Sequence, residues 1–189
     1  MPDLHKQETD AILSSLFIQA VREGQTLWFR VASNSMFPLF QVDDAVNIAP
    51  ARIEKIQPGE IAAFETKDGL VIHRVIHCQQ NSQQNSQQNT QTIRLLQMSD
   101  VDLFASWVEA GAVVGKVIAV RKDGKQLDLA HPLAKWYGRI VAITRYQLYL
   151  SNSHKPLHVL WSGCSRLSLR LGYRCIRRFC TIPAPLIGK

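Results

Sequence analysis

Apolar residues at Ile12, Leu13, Leu16, Phe17, Ala20 and Val21 recur at helical spacing. Thr9 or Asp10 is available as N-cap and Gly24 follows the last periodic residue, so residues 1–25 are predicted to hold one short amphipathic helix. From Thr26 the period changes to two. Leu27, Phe29 and Val31 then face one way while Trp28 and Arg30 face the other, which is a strand running into Ser33, Asn34 and Ser35.

Strand-like runs follow at Ala45–Ala49, Glu60–Glu65, Leu70–Cys78, Thr92–Met98 and Ala112–Val120, with turn signals at Pro58-Gly59, Asp68-Gly69 and Asp123-Gly124. Many short strands joined by tight turns predict a mainly β domain over residues 26–130, with a coiled or barrel-like sheet. Inside it the chain repeats QQNS, QQNS, QQNT. A polar run has no apolar side chain to bury, so residues 79–91 are expected to form an exposed, disordered loop rather than a recognition or aggregating tract.

Pro132 suits the first turn of a second helix, with Leu133, Trp136, Tyr137, Ile140, Val141 and Leu148 close to one face. A third helical run is expected after Pro156, with Leu157, Leu160, Trp161, Cys164, Leu167 and Leu171 against arginines. Residues 131–189 therefore read as a helical C-terminal extension.

Charge makes that extension distinctive. The chain of 189 residues carries a formal charge of +7, and residues 151–189 hold seven basic groups and no acidic one, so the first 150 residues balance to zero. Such a segment suits either a solvated helix face or contact with an anionic membrane surface, nucleic acid or an acidic partner. Cys78, Cys164, Cys175 and Cys180 contain no CxxC pair and make no zinc spacing with His154 and His158, so they read as free thiols. No cofactor or metal motif is present. No secretory signal stands at the start, because Asp3, His5, Lys6, Glu8 and Asp10 interrupt any apolar run. No stretch reaches the roughly 18 uncharged apolar residues of a membrane-spanning helix.

The segment Ser33-Asn34-Ser35-Met36-Phe37-Pro38 places a hydroxyl where a strand end meets a turn. Serine is a weak nucleophile until a base accepts its proton. Lys67, in the turn Lys67-Asp68-Gly69, would be solvated and charged there and unable to accept one. His73 lies in an apolar strand between Val71 and Val75, where an imidazole is neutral near pH 7, and is the better base. The alternative for His73 is a satisfied core histidine. Met36 reads as a packing residue, and Asp43 and Asp44 as turn residues before a strand.

The ordered set SNSMFP, VDDAV, IQPGEIAAF, GLVIHRVI, QMSD and VVGKV, over residues 26–128, resembles the boxes of type I signal peptidases and their LexA-like relatives. The resemblance implies Ser35 as nucleophile and His73 as general base, as in the histidine branch of the endoplasmic-reticulum and archaeal-like enzymes. It implies Ser33 and the Ser35 backbone N–H as the oxyanion hole. QMSD resembles an acidic box that makes Asp100 the candidate for orienting His73 Nδ1, with Asp102 as substitute. Three positions depart from the pattern: Val42 replaces a usual glycine, Glu60 a usual aspartate, and Ser106 stands where a further aspartate is common.

The implied activity is that of a serine endopeptidase removing a signal or leader peptide from a precursor protein, with small residues before the cut. A LexA-like self-cleaving regulator is the alternative, although only 34 residues with one predicted helix precede Ser35, and a helix-turn-helix needs more. A non-catalytic interaction module is the third. The expected partner is the precursor, with the basic extension as a surface for peripheral membrane contact, and nucleic acid is not expected. The expected location is cytoplasmic or peripheral to a membrane.

Overall fold

The computed structural model describes residues 3–67, 69–85, 88–102, 104–152 and 181–183, with side chains from 12 to 67, 69 to 80, 92 to 102 and 104 to 151. Helix α1 (Asp3–Arg22) leads into strand β1 (Leu27–Arg30), followed by β2 (Ala45–Pro50), β3 (Ile61–Thr66), β4 (Gly69–Asn85), β5 (Gln88–Met98), β6 (Ala105–Glu109), β7 (Val113–Lys122) and β8 (Lys125–Asp128). Helix α2 (Pro132–Asn152) and strand β9 (Thr181–Pro183) complete the described elements. The predicted third helix, with Cys164, Cys175 and Cys180, lies outside the described residues.

All pairings are antiparallel, in the order β1-β2-β7-β3-β4-β5-β6, with β8 between β7 and β9. Strand β7 is the spine. One side of it pairs β2; the other pairs β3 along its first half and β8 along its second, as Lys116 opposite both Ala49 and Ala62, and Ala119 opposite both Asn47 and Asp128, show. Bulges between Asn47 and Ile48, Ala63 and Phe64, and Val75 and His77 increase local twist. The result is a mainly β, curled half-barrel sheet with one helix before β1 and another after β8, as the alternating pattern predicts.

Alternation along the strands divides the core. Ile61, Ala63 and Ile72 face Ile18 and Val21 of α1 and Tyr137 and Val141 of α2; Ala62, Phe64, Val75 and Leu95 form a second cluster with Ile53 and Ile56. Burying each large apolar side chain contributes about 1.5–3 kcal/mol.

Two expectations are corrected. The Gln/Asn repeat is not a loop: β4 and β5 continue through it, in register from Gln79 opposite Arg94 to Asn85 opposite Gln88. Burial is not needed for this, since a hairpin's hydrogen bonds come from its backbone. The helix faces also differ. Ile12, Leu13 and Leu16 are exposed while Ile18 and Val21 are buried. On α2, Tyr137, Val141 and Leu148 are buried, whereas Leu133, Trp136 and Ile140 are not. Apolar spacing identified both helices, but each has more apolar residues than one buried face accommodates.

Helix α2 lies directly on the turn before β3. A Cβ on Gly59 (φ 99°) would come within 2.5 Å of the Arg139 backbone nitrogen, and one on Gly138 within 2.5 Å of the Gly59 carbonyl oxygen. Only two glycines allow this backbone-to-backbone contact.

Candidate active site

The turn carrying Ser35 is built from its apolar residues. Met36, Leu39 and Phe40 are buried, and the backbone closes through Phe37 N–H to Asn34 C=O (3.0 Å) and Leu39 N–H to Met36 C=O (3.0 Å). The Asn34 side chain accepts from Val42 N–H at 3.1 Å, fixing the far end of the turn. Ser35 is left half-buried and Ser33 exposed, with the Ser33 hydroxyl donating to Ser35 Oγ at 3.2 Å. Asp43, at φ 70°, and Asp44, accepting from Gln41 N–H at 2.8 Å, are turn residues as read from sequence. Met36 is a packing residue.

The Ser35 carbonyl oxygen accepts two backbone donors, Asp100 N–H at 2.8 Å and Val101 N–H at 3.2 Å. This joins the serine turn to the segment after β5. The Asp100 carboxylate in turn receives Arg74 Nε (2.8 Å) and Nη2 (2.6 Å), and Arg74 Nη1 donates to Gly59 C=O at 2.8 Å. From α2, Arg145 donates to the carbonyls of Asp100 and Asp102. Burial works to discharge Arg74, but the carboxylate beside it outweighs that and raises its pKa above the ordinary value.

His73, next to Arg74 on β4, points to the other face. It pairs with Ala62 of the second apolar cluster, away from the helices. The ring is half-buried, and burial lowers its pKa below the usual 6.5, against the smaller raising effects of Gln97, Asp100 and Asp102. A neutral imidazole at pH 7 follows. Its Nδ1 is hydrogen-bonded to Gln97 Oε1, and Gln97 Nε2 donates to Ser106 Oγ at 2.5 Å.

Ser33, Ser35 and the Asp100 backbone are thus brought together, whereas His73 adjoins Arg74 in the chain but turns its ring to the opposite face of β4, where its side-chain hydrogen bond is to Gln97. Asp100, expected on His73 Nδ1, is a correction: both of its oxygens are turned to Arg74, since a buried guanidinium needs a charged partner more than an imidazole does. Asp102, the substitute, has its carboxylate 3.5 Å from Ser99 Oγ. Lys67 is exposed in its turn. Glu60 pairs with Lys116 at 3.0 Å and receives Gln57 N–H at 3.0 Å, a turn-fixing role. Sequence reasoning missed Gln97 and Arg145. Gln97 stands in the QMSD run, but its place beside His73 depends on the β4–β5 register. Among the described residues no three His, Cys, Asp or Glu side chains gather to hold a metal.

The Peptidase S24-like family model matches residues 2–106, from α1 through the serine turn and both central strands to β6. A comparison with curated proteins finds none that matches. The match covers more than half of the chain, and the curled antiparallel sheet fits it. The chain belongs to the Peptidase S24-like family, of the superfamily that joins LexA-like self-cleaving proteins and signal peptidases.

Proposed function

We propose that this protein is a serine endopeptidase of the histidine-base branch, removing a signal or leader peptide from a precursor, with Ser35 as nucleophile and His73 as base. The observation that supports it best is the tie from the serine turn to the strand of His73: the Asp100 backbone N–H holds the Ser35 carbonyl at 2.8 Å while the Asp100 carboxylate pairs with Arg74, the residue after a half-buried His73 whose pKa burial lowers. In this reading Ser35 Oγ attacks the scissile carbonyl while His73 takes its proton. The oxyanion is met by Ser35 N–H and the Ser33 hydroxyl, already 3.2 Å from Ser35 Oγ. His73 returns the proton to the leaving amine, and water activated by the same ring releases the acyl group.

A second reading, intramolecular cleavage as in LexA-like proteins, draws on the S24-like family match. The two separate kinetically. Incubating the purified protein with candidate precursors, alongside Ser35→Ala and His73→Ala, is expected to give cleavage by the wild type alone. Self-cleavage would instead be first-order, with a half-time independent of protein concentration. Equal processing by all three proteins would end the protease assignment.

Peripheral membrane contact is the reading we favour for the extension. On α2, Leu133, Trp136, Ile140, Ile143 and Leu150 form an outward stripe roughly opposite the buried face, beside Lys135 and Arg139, and no acidic residue follows Asp128. No helix among the described residues is long and apolar enough to cross a membrane.

A further inference from the structure

We propose that Gln97, held by Ser106, is the positioning residue of His73: it fixes the ring as the tautomer with Nδ1 protonated, leaving Nε2 bare to accept the proton of Ser35. This rests on the Ser35–His73 reading above.

The geometry is set by the sheet. Gln97 pairs with Val75, whose side chain shares a face with that of His73, so Gln97 and His73 are diagonal neighbours across β4 and β5. The two ends of a carboxamide have opposite hydrogen-bonding character. Oε1 only accepts, so the nitrogen it meets must carry a hydrogen; Nε2 only donates, and Ser106 Oγ receives it. A neutral imidazole protonated at Nδ1 has its lone pair at Nε2, the state a general base requires.

A carboxylate at this place would also fix the tautomer, but it would favour the imidazolium by charge, raising the pKa by about 1–3 units. The charged groups near the ring do not take that place. Asp100, on the segment after β5, is bound to Arg74, which points to the opposite face of β4, and Asp102 has its carboxylate near Ser99. Arg145 of α2 meets the backbone carbonyls of that segment. Gln97 therefore orients without charging. The ring stays a free base to lower pH than a carboxylate-supported histidine would.

The test is nitrogen-15 NMR of the His73 ring in the full chain, with labelling of Ser35 by a fluorophosphonate as a second readout. Wild type is expected to show Nδ1–H and an unprotonated Nε2. Gln97→Leu is expected to shift the ring toward the Nε2–H tautomer and slow labelling by at least about tenfold, within the range general-base catalysis supplies. Ser106→Ala is expected to move both in the same direction by less. Gln97→Glu is expected to recover the Nδ1–H tautomer and the alkaline rate, with the acid limb displaced upward by about one unit or more. A wild-type ring protonated at Nε2, or a Gln97→Leu protein with unchanged tautomer and rate, would overturn the proposal. If His73→Ala labels as fast as wild type, the protease reading fails instead, and the tautomer measurement still decides what Gln97 does.

Discussion

Arg74 and Asp100 form a buried two-point ion pair, 2.8 Å from Nε to Oδ1 and 2.6 Å from Nη2 to Oδ2, with side chains only 3% and 2% exposed. Through the Asp100 backbone N–H the same residue holds the Ser35 carbonyl, so one contact ties the strand of the candidate base to the turn of the candidate nucleophile. Asp100→Ala leaves the guanidinium buried without its counter-charge and is expected to cost about 3–5 kcal/mol. The double replacement Arg74→Met with Asp100→Leu is expected to regain most of it. Urea denaturation of the wild type, Asp100→Ala and the double variant measures this, and a mild loss in Asp100→Ala, or a double variant no more stable than Asp100→Ala, would contradict it.

Gly138→Ala should also be destabilising, although alanine is the better helix former by about 1 kcal/mol. The added methyl would meet the Gly59 carbonyl oxygen at 2.5 Å, which forces α2 off the sheet at a net cost of about 1–3 kcal/mol. Gly111→Ala, with nothing within 4 Å of its Cβ, serves as control and should change stability by less than about 0.5 kcal/mol. Thermal unfolding compares the two.

Strands β1 to β3 and β7, the apolar parts of β4 and β5, and both described helices were legible because the periods of two and 3.6 are local. So was the serine turn, where buried Met36 and Leu39 and exposed Ser33 follow from residue type. Partnerships across the sheet were not. Asp100 was legible as an acid near the site, yet whether it meets His73 or Arg74 depends on which side of β4 it approaches, and neighbouring residues on a strand point oppositely. Gln97 was hidden for the same reason. Strand β6 has no clean alternation in Ala-Ser-Trp-Val-Glu, and the Gln/Asn ribbon has no apolar signal at all.

Cys78 is half-buried, its thiol donating to Ile56 C=O at 3.6 Å, and burial pushes its pKa up to about 11. Only about a thousandth of it is thiolate at pH 8, against about a quarter of a free cysteine. Iodoacetamide should therefore modify Cys78 at least about tenfold more slowly than a peptide thiol at pH 8, with the rate still rising at pH 10. Peptide mass mapping across that range reads the outcome, and a rate that levels off near pH 8.5 would refute it.

The outward stripe of α2 carries the membrane reading to a test. Vesicles rich in phosphatidylglycerol are expected to float the protein, and phosphatidylcholine vesicles much less. Trp136→Glu with Ile143→Glu, both on exposed positions, should abolish flotation without changing the melting temperature by more than a few degrees. Flotation by the double variant equal to wild type would show that this face does not bind the membrane.

In the proposed mechanism Ser35 is activated by a neutral His73. Because burial lowers the pKa of the ring, protonation disables it only below the ordinary value, so reactivity should hold at neutral pH and fall on acidification with a midpoint under 6.5. The direct measurement is the rate of fluorophosphonate labelling from pH 4 to about pH 9, with the modified residue identified by mass spectrometry. Modification at Ser35, an acid limb below 6.5 and a loss of at least about a hundredfold in His73→Ala are expected. Labelling elsewhere, or a His73→Ala protein that reacts like wild type at every pH, would contradict it.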